Sequence, residues 1–249
     1  MKFFLDSADL EEIKEINSYG LLDGVTTNPT LIKRAVEKYG KIDLEAYIKK
    51  ILKICRSKPV SLEIIGTSYG EIIKEARHLY KKFNSVAKNV IIKVPINVSE
   101  NKRRGDSFQA IKAIQELSKE GIPINCTLIF TPEQAILSAK AGAFYASPYI
   151  GRVDDYLKEK NLLQDFGVKS GINAINKISE IFRREKVKTE ILAASIRNRQ
   201  HVREAFLNGA HIVTLPFKVF KEMLEHPKTF EGIKIFKRDT VLEYRKLFD

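Results

Sequence analysis

The 249-residue sequence has no tryptophan, two methionines, two cysteines and four histidines. Two cysteines as far apart as Cys55 and Cys126 exclude a disulfide framework and a zinc finger. Each sits in an apolar run, where a reduced, packed thiol is expected. His78, His201, His211 and His226 lack metal-ligand spacing, so no metal is predicted. Neither a Walker loop nor a GxGxxG turn occurs, which argues against nucleotide cofactors, and no cofactor is predicted. No apolar stretch approaches the ~20 residues of a membrane span, and no signal-peptide pattern is present. No membrane partner is therefore predicted, and the expected location is cytoplasmic. Low-complexity linkers, short repeats and composition breaks are also missing, which predicts a single domain over residues 1–249.

What is present is ordinary except for charge. Hydrophobic residues are 44% and charged residues 30%, enough apolar material for a globular core. The formal net charge is +12. That excess admits three readings: nucleic-acid binding, acidic small substrates, or a solvated basic surface.

The dominant pattern is alternation. Strand-like runs at 2–6, 24–27, 59–65, 89–95, 122–130, 144–150, 190–195 and 211–216 are each followed by a helical pattern. Examples of the helical patterns are 8–19, 28–39, 69–83, 169–184 and 199–207. Eight β/α units in this length predict an α/β fold, a closed (β/α)8 TIM barrel, with an extra, partly helical C-terminal segment over 227–249. Gly20 and Gly40 stand where helices should stop. Two segments, 97–105 (NVSENKRRG) and 157–168 (LKEKNLLQDFGV), break the regular scheme.

In such a barrel, reactive groups come from the C-terminal ends of the strands. Asp6 ends the first run. Thr26 and Thr27 end the second, with Asn28 next. Glu63 lies in the third, Lys93 in the fourth, Asn125 and Thr127 in the fifth, Ser147 and Tyr149 in the sixth, with Arg152 just beyond. Ser195 ends the seventh, two residues before Arg197. A lysine inside an apolar strand loses solvation, which favours the neutral amine, the form that attacks carbonyls. The alternative is a lysine that snorkels to solvent. Asp6 and Glu63 favour a shared polar site, since three ionisable groups in apolar strands are costly apart; the alternative for each is a structural ion pair. Two rim arginines, with the Ser195 hydroxyl, suit a phosphate dianion. The competing reading is that one arginine merely pairs with Asp154 or Asp155.

Together these residues resemble the transaldolase family, in its short branch that also contains fructose-6-phosphate aldolases. The matching stretches are KFFLD with Ala8-Asp9, GVTTNPTL (24–31), IKVP (92–95), INCTL (124–128), ASPYIGR (146–152), AASIR (193–197) and LPFK (215–218). The resemblance implies Lys93 as the Schiff-base lysine and Asp6 as acid/base at the C4 hydroxyl. It implies Glu63 and Thr127 as the pair handling water and proton, and Asn28, Asn125, Ser147 and Tyr149 as substrate contacts. Arg152, Ser195 and Arg197 become the phosphate site. It further implies sugar-phosphate substrates, no cofactor, and a homo-oligomer, pentamer or decamer. The implied activity is transfer of a dihydroxyacetone unit, with fructose-6-phosphate aldolase as the alternative. Tyr149 is the aldolase-type residue at its position, whereas Glu63 and Ser147 are transaldolase-type. A nucleic-acid-binding reading draws on the net charge and Lys102-Arg103-Arg104. It lacks a binding motif and a stacking platform, so nucleic acid is not predicted as a partner.

Overall fold

The computed structural model describes residues 1–98 and 108–248. Eight strands run β1 (Lys2–Asp6), β2 (Gly24–Thr26), β3 (Val60–Glu63), β4 (Val90–Pro95), β5 (Ile124–Ile129), β6 (Tyr145–Pro148), β7 (Glu190–Ala193) and β8 (Ile212–Leu215). All neighbours pair in parallel and β8 returns to β1, closing the barrel predicted from the alternation. Helices α1 (Leu10–Ser18), α2 (Pro29–Tyr39), α3 (Leu44–Ile54), α4 (Tyr69–Ala87), α5 (Gln109–Lys119) and α6 (Pro132–Lys140) follow the first five strands. Then come α7 (Ile150–Glu159), α8 (Gly171–Arg184), α9 (Arg199–Leu207) and α10 (Phe217–Leu224). The tail forms α11 (Pro227–Asp239) and α12 (Leu242–Arg245). Gly20 and Gly40 close their helices at φ values of 70° and 76°, as their positions predict.

The strand period of two separates two apolar sets. Outward residues such as Leu5, Val25, Leu62, Ile92, Val94, Ile124 and Val213 join the helices in the main core. Inward residues Phe4, Ile91, Tyr145, Leu192, Ala194 and Ile212 form a separate plug inside the barrel. Two positions later along these strands the inward residues become polar: Asp6, Lys93, Ser147 and Thr214. The plug therefore floors a polar layer near the strand ends.

Gly24 lies abreast of Phe4 in the β1–β2 register, and a side-chain carbon there would meet the Phe4 ring at 2.6 Å. The glycine that opens the GVTTNP stretch makes room for the plug.

Two sequence expectations are revised. The sixth strand ends at Pro148, and residues 150–159 form α7, so β6 is followed by two helices. Leu157, placed by the sequence in an irregular insertion, belongs to the end of α7. The rest of that segment turns through Asn161, Phe166 and Gly167 at positive φ and closes with an Asp165–Val168 bridge. Most of the other irregular segment, including Lys102-Arg103-Arg104, lies outside the described residues.

Gly24→Ala should overpack the plug and cost roughly 1–3 kcal/mol. Urea unfolding measures it; an unchanged midpoint would show that Phe4 relaxes freely.

Candidate active site

The strand register assembles the centre of the site. Glu63 on β3 pairs with Lys93 on β4, which pairs with Asn125 on β5. Lys93 is only 3% exposed. Its Nζ lies 3.1 Å from Glu63 Oε2 and donates to the Thr27 carbonyl at 3.2 Å. Lys93 is thus buried and paired; it does not snorkel.

Its protonation reverses the expectation of a neutral amine. Burial alone works against the ammonium, but Tyr149, Glu63 and Asp6 outweigh it and hold the Lys93 pKa above its ordinary value. The Glu63 carboxyl group is in contact with the Lys93 nitrogen. The sequence shows the apolar strand around Lys93 but not the distance to the carboxylate.

Asp6 occupies the same layer. Burial raises its pKa above the ordinary 3.8, opposed by Lys93, a hydrogen bond from Thr26, Arg34 and Arg152. Thr26 Oγ1 donates to Asp6 Oδ1 at 2.7 Å and lies 2.6 Å from Thr214 Oγ1. With the Thr26 proton committed to Asp6, Thr214 is the donor of the second bond. The relay Thr214 to Thr26 to Asp6 stabilises the carboxylate.

These groups open into a cavity of about 390 Å³ at the strand ends. Asp6, Asn28, Glu63, Lys93, Ser147, Tyr149, Arg152, Ser195 and Arg197 all line it. Asn125 and Thr127 are fully buried and stand outside that lining. Asn125 donates to Ser61 Oγ at 3.1 Å, while its Oδ1 has no hydrogen-bond partner. Thr127 donates to the Tyr149 hydroxyl at 3.1 Å, so it pairs with the phenol rather than with Glu63. Asn28 spends its Oδ1 on capping α2 at Leu31 N, 2.9 Å away, which leaves its amide N–H groups for a ligand.

Backbone strain shapes the wall. Leu128 and Ser195 line the cavity with φ of 56° and 60°. Leu128 lies where the β5–β6 register shifts, a bulge that re-aims the strand end. Ser195 sits where its carbonyl accepts from Gly151 N at 3.0 Å, an approach a larger residue at 151 would obstruct.

A family model described as transaldolase/fructose-6-phosphate aldolase matches residues 3–248. The chain belongs to the transaldolase/fructose-6-phosphate aldolase family. A probable transaldolase of Thermoplasma volcanium is 43% identical over 242 residues, covering 96% of this chain and 95% of that protein. The probable transaldolase of Thermoplasma acidophilum gives the same figures. That of Syntrophobacter fumaroxidans is 41% identical over 241 residues, covering 96% of both.

In this member of the transaldolase/fructose-6-phosphate aldolase family the rim arginines are not equivalent. Arg197 binds Asp155 at 2.6 Å, with side-chain exposures of 51% and 62%. The pairing weighed against a phosphate role is therefore real for Arg197. Arg152 lies over the Tyr149 ring, 5.3 Å from its centroid. Sequence reasoning missed two groups: Thr26, which was noted only as a strand end, and Arg34, which lines the cavity from α2. The signal for Arg34 was its spacing, one helical turn past Thr30 and Leu31, which share the cavity face.

Removing one partner of a buried ion pair strands the other. Glu63→Ala should cost about 3–5 kcal/mol, and the Glu63→Ala, Lys93→Ala double variant clearly less than the sum of the singles. Strictly additive costs in urea unfolding would refute the pair.

Proposed function

We propose that this chain is a transaldolase acting through a Schiff base on Lys93. It moves a dihydroxyacetone unit from fructose 6-phosphate to erythrose 4-phosphate, yielding glyceraldehyde 3-phosphate and sedoheptulose 7-phosphate, an exchange of the pentose phosphate pathway. The observation that carries the reading is the buried Lys93–Glu63 pair, 3.1 Å apart, opening into a polar cavity at the ends of the strands.

The chemistry follows from the placement. Glu63 takes the ammonium proton, and the Lys93 amine attacks the C2 carbonyl of the ketose. The protonated Glu63, with Thr127 and Tyr149 as the adjoining hydroxyls, returns a proton to the departing hydroxyl as water leaves. The iminium draws electrons from the C3–C4 bond while the Asp6 carboxylate removes the C4 hydroxyl proton. That bond breaks, glyceraldehyde 3-phosphate leaves, and a three-carbon enamine stays on Lys93. The enamine carbon then attacks the acceptor aldehyde. Asp6 returns its proton to the new hydroxyl, and water releases the ketose from Lys93. The amide N–H groups of Asn28 and the Ser147 hydroxyl contact the three-carbon unit, with Asn125 beside Lys93 in the β4–β5 register. Arg152, Ser195 and Arg197 face the phosphate.

Borohydride added with fructose 6-phosphate should trap a three-carbon adduct on Lys93, seen by mass spectrometry and lost in Lys93→Ala. No adduct in the wild type sinks the proposal. Glyceraldehyde 3-phosphate should accumulate only with erythrose 4-phosphate present; release at comparable rate without acceptor identifies an aldolase instead.

Asp6 must be ionised to act, so activity falls as pH drops through its raised pKa. The acid limb of kcat/KM should lie above the ordinary 3.8. Thr26→Val removes a bond that favours the carboxylate, so that limb should move to higher pH. A limb that stays in place excludes Asp6 as the base.

The proposal includes a homo-oligomer, pentamer or decamer. Its support is the tail: α11 and α12 bury no residue, and Phe236, Leu242 and Phe248 are 74%, 70% and 75% exposed. Deleting residues 241–249 should lower the mass measured by light scattering; an unchanged oligomer would contradict this role of the tail.

A further inference from the structure

We propose that Arg34 is a substrate-binding residue that joins Arg152 in receiving the substrate phosphate. The inference rests on the sugar-phosphate reading above but concerns a residue outside the motifs that suggested it.

The argument is a charge count on the cavity wall. Six ionisable side chains of full charge line it: Asp6, Arg34, Glu63, Lys93, Arg152 and Arg197. Lys93 and Glu63 neutralise each other at 3.1 Å. Arg197 is neutralised by Asp155 at 2.6 Å. That leaves Arg34 and Arg152 as the cations without a carboxylate in contact among the described residues, with Asp6 as the remaining anion.

Arg34 is the exception among the cations of its own helix. Lys33 pairs with Glu37 at 3.7 Å, and Lys38 holds both Asp9 and Glu11 at 2.6 Å. Arg34 makes no ion pair or hydrogen bond among the described residues. Its position is nevertheless constrained. Asn28 caps the helix, and Thr30, Leu31 and Arg34 fall on one face, the face that lines the cavity. Arg34 and Arg152 both favour the part-buried Asp6 carboxylate. A phosphate dianion needs two positive charges and planar forks that match its oxygens. Arg34 from α2 and Arg152 from α7 supply both, while Asp155 competes with the phosphate for Arg197.

The test compares the wild type with Arg34→Gln and Arg34→Lys as full chains. Isothermal titration with inorganic phosphate should show affinity falling about tenfold or more in Arg34→Gln, the loss of a charge-assisted bond, with partial recovery in Arg34→Lys. In turnover, the ratio of kcat/KM for fructose 6-phosphate to that for unphosphorylated fructose should fall by a similar factor. The loss should reside mainly in KM for the phosphorylated donor. Equal losses for both donors mean a merely structural role and overturn the proposal. Unchanged phosphate affinity overturns it too, as does a wild type that binds no phosphate. If borohydride traps nothing on Lys93 while phosphate binding still depends on Arg34, the transaldolase reading fails and the anion site stands.

Discussion

The contact between Lys93 and Glu63 is the constraint on which the rest of the site turns. A parallel barrel can hold an ammonium at 3% exposure only if a carboxylate shares the desolvation. The β3–β4 register supplies it by setting residue 63 beside residue 93. A one-residue slip of either strand would turn one of these side chains toward the helices, among Leu62, Ile92 and Val94. Barrel closure, inward plug and pairing register are thus all demanded by one proton-sharing pair. On the proposed mechanism that pair gives the buried lysine a base already in contact.

Charge around the cavity falls into two tiers. The inner tier, Lys93 with Glu63 and Asp6 with its threonine relay, is largely shielded from solvent and internally paired. The outer tier of arginines is half open to solvent and only partly satisfied. Much of the net +12 belongs to neither. Lys50 and Lys81 are exposed on the outer helices with no ion pair among the described residues, while other surface cations are paired, Lys49 and Lys82 with Glu45 and Arg184 with Glu180. Such exposed pairs contribute little to stability, and the basic surface is mainly solvated. It adds a salt-dependent attraction for anions, not a binding site.

The fold was legible because period-two strands and capped helices leave local marks. Asn28, Ser68, Thr131, Ser170 and Asn198 each cap a helix where the sequence places its start. α7 was missed for the complementary reason. It begins after Tyr149 with no side-chain cap bond, so its first residues continue the apolar run of β6. The candidate catalytic residues stand at strand ends, where a one-dimensional reading can look for them. Arg34 does not; its role depends on which helix face meets the cavity. The sequence names Asp155 as a partner for a rim arginine, but which arginine takes it is set by a contact between residues 42 positions apart. The direction of the Lys93 shift was misjudged because burial is visible in the sequence and cross-strand carboxylates are not.

On the proposed mechanism the two tiers also divide the work of catalysis. Transition-state stabilisation needs groups already oriented, because reorienting them during the reaction costs free energy. Register, plug and hydrogen-bond relay hold Lys93, Glu63 and Asp6 in place before substrate arrives. A rim that must admit and release phosphorylated sugars has the opposite requirement, since a fully ordered anion site would retain its product. Arginines on helix faces and loops, one of them shared with Asp155, meet it. The strained backbone at Leu128 and Ser195 lies between the tiers, where the rigid strand ends give way to the adaptable mouth.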